Sequence, residues 1–341
     1  MRTATLSLLI PLMIPLLSQA ATQANTRIQI SERVSAAQLT AKQAAACLPA
    51  QPFYWEIGNG ERMLAHGQSG ANAPTGQTEL ALASASKWLY AAFVAERRHG
   101  ALTEQDTRFL SFQSGYTRFR MCLPGQTVAS CQSSLLNRRG RIDNSTTGLF
   151  DYNGGHMQQH ATLMGLGSLS NEGLAATIKL ALREVGGAWS LSYSQPQLAG
   201  GGVSNASDYG RFLRGMMKGD LEMGALLGSH PVCTNPQTCP SEAISTPIPL
   251  SESWQYSIGH WIESDPQVGD GSFSSPGAFG FYPWIDASKT FYGILARDAR
   301  DAQNTSDRNA SAEDTTDKPA MQSVNCGRLI RAAWMTGQPQ P

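Results

Sequence analysis

Ala83-Ser84-Ala85-Ser86-Lys87-Trp88, continued by Leu89-Tyr90-Ala91-Ala92-Phe93-Val94, is the stretch on which the reading of the whole chain turns. Ser84 opens what reads as a helix, and Lys87, three residues on, shares its face, so a hydroxyl and an amine meet without help from elsewhere. An amine drawn into an apolar site loses the solvation that keeps it charged; its pKa falls and it becomes a base for the neighbouring hydroxyl. A helix start also offers free main-chain N–H groups, and that of Ser84 is a candidate for holding an oxyanion. The bland alternative for a lone Ser-x-x-Lys is a helix cap followed by a solvated lysine. Against it, the helix from Ser84 to Arg98 is apolar nearly all round, with Trp88, Leu89, Ala91, Ala92, Phe93 and Ala95, so it belongs inside a domain. A lysine at the mouth of a buried helix must have a use for its charge. Gly100 supplies the C-terminal stop.

Upstream, Met1-Arg2, the apolar run Leu6 to Leu17 and the small-residue end Ser18-Gln19-Ala20 read as a secretory signal peptide, residues 1–20. The run is too short to span a bilayer, and nothing later is long and apolar enough to do so. The remaining chain, 21–341, is read as a single composite domain. Its location is expected to be periplasmic or secreted. Lysine plus arginine and aspartate plus glutamate both total 26, so no global field attracts nucleic acid, and a nucleic-acid role is set aside. Six cysteines in an exported chain suggest disulfides, and none forms Cys-x-x-Cys. Cys122 with Cys131 and Cys233 with Cys239 would close short loops, and Cys47 with Cys326 would tie the ends together; fifteen connectivities are formally open.

Ala36 to Ala46 reads as a helix, and Phe53–Ile57 and Arg62–His66 as strands around the turn Gly58-Asn59-Gly60. From Gly100 to about Gly148 the chain is turn-rich; Asn171 to Val185 and Ala206 to Met217 are helical. Trp254 to Ile262, Ala278 to Ile285 and Thr290 to Ala296 read as antiparallel strands, Asp301 to Lys318 as a mobile surface loop, and Met321 to Trp334 as a closing helix. Strands at both ends around a helical middle imply an α+β fold. The sheet lobe covers about 36–80 and 250–338, the helical lobe about 81–249, and a cleft lies between them.

Gly-x-Ser-x-Gly and His-Glu-x-x-His are absent. His156 and His160 share a helical spacing without a third ligand nearby, so no metal is expected. Asp151-Tyr152-Asn153-Gly154 offers a tyrosine that can relay a proton beside a lysine and an asparagine amide that can hold a substrate carbonyl, although a plain Asx turn fits the same residues. In Ser275-Pro276-Gly277-Ala278 a glycine at a strand head lets a substrate approach the backbone.

Ser84-x-x-Lys87, the Tyr152/Asn153 element and the strand at Gly277 stand in the order and approximate spacing of the three motifs of the serine β-lactamase and penicillin-binding-protein superfamily, and the chain resembles it from about Phe53 to Trp334. Ala199-Gly200-Gly201-Gly202-Val203-Ser204-Asn205-Ala206-Ser207-Asp208-Tyr209-Gly210-Arg211-Phe212-Leu213 is similar to a segment of class C β-lactamase-like hydrolases and family VIII carboxylesterases. Gly277 to Asp286, followed by Tyr292 to Leu295, is similar to their strand pair after the third motif. The resemblance implies a β-lactamase/transpeptidase-like fold, with an antiparallel sheet flanked by helices and a mainly helical lobe. It implies an acyl-enzyme on Ser84, with Lys87 as base and Tyr152 as proton relay, and no cofactor. The main-chain N–H groups of Ser84 and Ala278 would form the oxyanion hole, and Asn153, Ser275 and Gly277 would bind substrate.

Two departures from the pattern bear on substrate. Class C enzymes carry Tyr-x-Asn, whereas Tyr152 and Asn153 are adjacent, which leaves the second-motif role open between Tyr152 and Asp151. The third motif usually opens with a lysine or histidine that binds a substrate carboxylate; Ser275 and Pro276 stand there instead, which favours a small or oligomeric neutral ester. The alternatives are an amide hydrolase acting on a β-lactam, a D-alanyl peptide or an oligoamide, and an inactive sensor or binding domain of the same fold. The oligomeric state is not legible.

Overall fold

The computed structural model describes residues 15–300 and 317–341. The first fourteen residues of the expected signal peptide and nearly all of the expected 301–318 loop lie outside the described residues. Every strand of the main sheet pairs antiparallel with its neighbours, in the order Met63–Ser69, Phe53–Asn59, Phe291–Ala296, Tyr282–Ile285, Phe273–Ser274, Trp261–Ile262, Gln255–Tyr256, Val232–Cys233. The N-terminal hairpin therefore joins the C-terminal strands, with Trp55 opposite Leu295 and Ile57 opposite Gly293. The stretch Trp254–Ile262, expected as one strand, is two: Gly259 takes a left-handed backbone (φ 68°), and the chain doubles back between Tyr256 and Trp261. Val232–Cys233, from the stretch read as helical, adds the edge strand.

One face of the sheet carries two long helices. Pro15–Gln43 starts well before the expected Ala36, and Pro319–Thr336 runs against it. Cys47 and Cys326 are joined between them, and Gln340 donates its main-chain N–H to Thr40 Oγ1 at 2.8 Å. The C-terminal helix is also anchored by buried charge. Arg331 reaches Glu263 at 3.0 Å and Asp270 at 2.7 Å, Arg328 reaches Glu263 at 2.9 Å, and Tyr282 donates its hydroxyl to Glu263 at 2.6 Å. Such a network is tolerable inside a protein because each charge meets an opposite one with a hydrogen bond. Cys122–Cys131 and Cys233–Cys239 are the other two disulfides, so all three expected pairings are present.

The other face meets the helical part. The Ser86–Arg97 helix buries every side chain from Ser86 to Ala95, as its all-round apolarity demands. Trp88 stacks on His260 (5.4 Å between ring centres) and meets the edge of Phe212, so this helix is wedged between the sheet and the Ala206–Lys218 helix.

Candidate active site

The helix that follows Ser84 is placed by the backbone before it. Leu80–Ala81 pairs with Gly202–Ser204, and Leu82 donates its N–H to the Gly202 carbonyl at 2.9 Å. Ala83 then adopts a left-handed conformation, φ 44°, which is costly for a residue with a Cβ and is held by the packing on both sides. Ser84 sits in the single 3₁₀ turn Ala83–Ala85, and the α-helix proper begins at Ser86. Behind it, Ser86 accepts from the Gly202 N–H at 3.1 Å, and the Tyr209 hydroxyl donates to the Ala85 carbonyl at 2.8 Å.

Lys87 Nζ lies 3.0 Å from Ser84 Oγ and 2.8 Å from the carbonyl oxygen of Ala199. Among the described residues no carboxylate faces it, and burial pulls its pKa down to about 7. The amine also stands 4.7 Å from the centre of the Tyr152 ring. Burial pushes the Tyr152 phenol up to about 12, partly offset by hydrogen bonds to the side chains of Ser84 and Trp261. Ser84, Lys87 and Tyr152 are therefore brought together. Asp151 is turned away: its carboxylate accepts from the Ser245 hydroxyl at 2.8 Å. The Asp151 carbonyl is held by His156 Nε2 at 3.0 Å, and His156 Nδ1 meets Ser114 at 2.6 Å. Burial drives His156 down to about 3, so it is a neutral brace under the tyrosine-bearing turn.

Asn153 is occupied elsewhere. Its carbonyl oxygen accepts from the N–H groups of Phe119 (3.1 Å) and Gly155 (2.9 Å), and its amide donates to the Phe119 carbonyl at 3.3 Å. Buried Ser275 donates its hydroxyl to the main-chain carbonyl of Ser84 at 3.1 Å. Gly277 donates to Phe281 at 2.8 Å, and a Cβ at this position would collide with the Leu82 carbonyl oxygen. The strand expected from Ala278 begins only at Tyr282; Gly277 lies in the link that follows Phe273–Ser274, and only glycine lets this link lie against the Ser84 turn.

Ser84, Tyr152, Pro276 and Ala278 open on a cavity of about 190 Å³, walled by Pro247, Ile248, Trp261, Ala320 and Met321, with Lys318 also on its lining. Sequence reasoning missed most of this wall, along with Ala199 and Tyr209, whose roles rest on contacts across more than a hundred residues. A wider groove of about 560 Å³ runs over Arg108, Phe109, Tyr116 and Leu163, away from Ser84. Among the described residues no cluster of three His, Cys, Asp or Glu side chains could hold a metal. His160, buried, spans Tyr90 (2.9 Å) and Asp106 (2.9 Å) instead.

No protein-family model matches the chain, and no curated protein matches it by sequence. Solved structures do match. A provisionally assigned β-lactamase from Bacteroides dorei is 18% identical with a TM-score of 0.57, covering 93% of this chain and 98% of that one. The D-amino acid amidase from Ochrobactrum anthropi is 13% identical at 0.56 (82% and 94%). EstCE1, a hydrolase with promiscuous acyltransferase activity, is 12% identical at 0.53 (89% and 99%). The chain has the α+β fold of the serine β-lactamases and penicillin-binding proteins. At these identities the likeness speaks to fold and leaves substrate to the site.

Proposed function

We propose that this chain is an exported serine hydrolase that works through an acyl-enzyme and acts on neutral carboxylic esters. The observation that carries the reading is the buried amine of Lys87, 3.0 Å from Ser84 Oγ with no carboxylate among the described residues to hold its charge. Neutral Lys87 takes the hydroxyl proton as Ser84 Oγ bonds to the ester carbonyl carbon. The oxygen of that carbonyl gains the negative charge and is received by the N–H groups of Ser84 and Ala278. The C–O bond then breaks, and the departing alkoxide takes a proton through Tyr152, which Lys87 replenishes. Water enters by the same steps and releases the acid.

The preference for a neutral ester rests on Ser275-Pro276 in place of a cation, since Pro276 has no N–H and the Ser275 hydroxyl is spent on Ser84. A carboxylate left unpaired in the cavity costs several kcal/mol. Lys318 on the cavity lining favours a second reading, hydrolysis of carboxylate-bearing amides such as β-lactams or D-alanyl peptides. Three disulfides and the leader-like start of the sequence support export. The test is intact-protein mass after exposure to a p-nitrophenyl ester, a fluorophosphonate and a penicillin. Adducts on Ser84 from the first two alone support the esterase; a stable or rapid adduct from penicillin selects the second reading. No adduct from any of them leaves an inactive binding domain and defeats the proposal.

A further inference from the structure

The chain as a whole carries equal numbers of acidic and basic residues, yet residues 116–142 contain five arginines and neither aspartate nor glutamate. This stretch is folded into one compact lip. The Cys122–Cys131 disulfide closes it, and the buried carboxamide of Asn137 clamps it: its oxygen accepts from the N–H groups of Arg120 (2.7 Å) and Met121 (3.3 Å), and its nitrogen donates to the carbonyls of Met121 (3.0 Å) and Cys131 (2.8 Å). Arg118, Arg120, Arg138, Arg139 and Arg141 are all exposed. Of these only Arg118 forms an ion pair among the described residues, with Asp143 at 2.6 Å. Arg138 and Arg139 both hold left-handed backbone, φ 51° and 58°, a conformation that costs energy in a residue with a side chain; both side chains are exposed.

The same lip is unusually apolar. Of the twelve large hydrophobic side chains exposed among the described residues, five are here: Met121, Leu123, Leu135, Leu136 and Ile142, with Leu135 75% exposed. Arginines and leucines together line a cleft of about 590 Å³, whose lining includes Asn153, the neighbour of Tyr152. A soluble polyanion would satisfy the guanidinium groups but leave the leucines in water. The headgroup region of an anionic bilayer takes both, with cations at the phosphate level and apolar tips at the acyl boundary.

We propose that this arginine–leucine lip docks the protein peripherally on an anionic phospholipid surface, with the mouth of the catalytic cleft beside the membrane. Docking is a binding property and is measured without reference to catalysis. The experiment is co-sedimentation of the full chain with vesicles of phosphatidylcholine alone and of phosphatidylcholine with one-third phosphatidylglycerol, at low and physiological salt. Retention is expected on the anionic vesicles only, and weaker as salt rises. The double variant R138N/R139N keeps a residue type that accepts left-handed backbone. It should weaken retention by about tenfold or more, at unchanged thermal unfolding. L135S/L136S should also weaken it. Equal retention on both vesicle types would overturn the proposal, as would variants that bind like the parent. Retention on a sulfated polysaccharide resin with none on vesicles would assign the lip to a soluble polyanion instead, and loss of a dimer in L135S/L136S without vesicle binding would assign it to a second copy of the chain.

Discussion

Lys87 donates from Nζ to the main-chain carbonyl of Ala199 at 2.8 Å, and among the described residues this is its one bond besides the contact with Ser84. A carbonyl steers one N–H of the amine without supplying the negative charge that would keep it protonated. The neutral amine can then point its lone pair at the Ser84 hydroxyl, which becomes the donor across the same 3.0 Å.

The pH dependence follows. With the Lys87 pKa drawn down to about 7, the rate of Ser84 acylation should rise with pH through that value and level off above it, a single ascending limb. Stability moves in the same direction: between about 7 and the model-peptide value near 10.4 the unfolded chain holds a proton that the native chain has released, so stability rises with pH across that window. Fluorophosphonate labelling rates from pH 5 to 9 check the first statement. A rate that is flat from pH 5 to 9 would remove Lys87 as the base.

Tyr152 and Asp151 are separable by mutation. Tyr152→Phe should lower kcat by about a hundredfold or more with little change in KM, because it removes the proton relay and leaves the ring beside Lys87. Asp151→Asn touches only the Ser245 contact and should leave kcat within about threefold. Steady-state kinetics on a soluble nitrophenyl ester decides it, and the reverse pattern would give the role to Asp151.

Gly277 sets the spacing between the link that carries it and the turn before Ser84. Gly277→Ala places a methyl against the Leu82 carbonyl, so link or turn must shift, at a cost of about 1–3 kcal/mol in stability. Activity should fall further than stability does, since Ser275 and Ala278 move relative to Ser84. Thermal unfolding and labelling rate, measured together, test this; a variant with parental values of both would mean that the link has more room than the structure shows.

Removing the end-to-end disulfide with C47A/C326A should destabilise the protein by about 2–5 kcal/mol. The Cys233–Cys239 bond closes a far shorter loop, so C233A/C239A should cost less. Denaturant titrations of the two double variants give the comparison, and an equal or reversed order would show that the terminal helices hold their place without the covalent tie.

What could be read from the sequence is what is local. Ser84 and Lys87 are three residues apart at a helix start; of the strand expected over Ala278–Ile285 only Tyr282–Ile285 forms, because Gly277–Gly280 closes a turn before it. The acceptor for Lys87 could not be read, because a main-chain carbonyl has no sequence signature and Ala199 lies 112 residues away. Asn153 illustrates a competing local demand: its amide is consumed by the backbone of Phe119 and Gly155, a use that short polar side chains find easily in turns. The strand expected over Trp254–Ile262 was betrayed by one left-handed glycine inside an aromatic run, where periodicity carries no turn signal.

The bond between Cys47 and Cys326 also has a mechanical meaning. Tension applied to the two ends of the chain enters through the flanking helices and is carried across that covalent link. The eight strands of the main sheet and the Ser84 turn lie on the slack side of it, so pulling can peel the terminal helices away while the cleft stays unloaded.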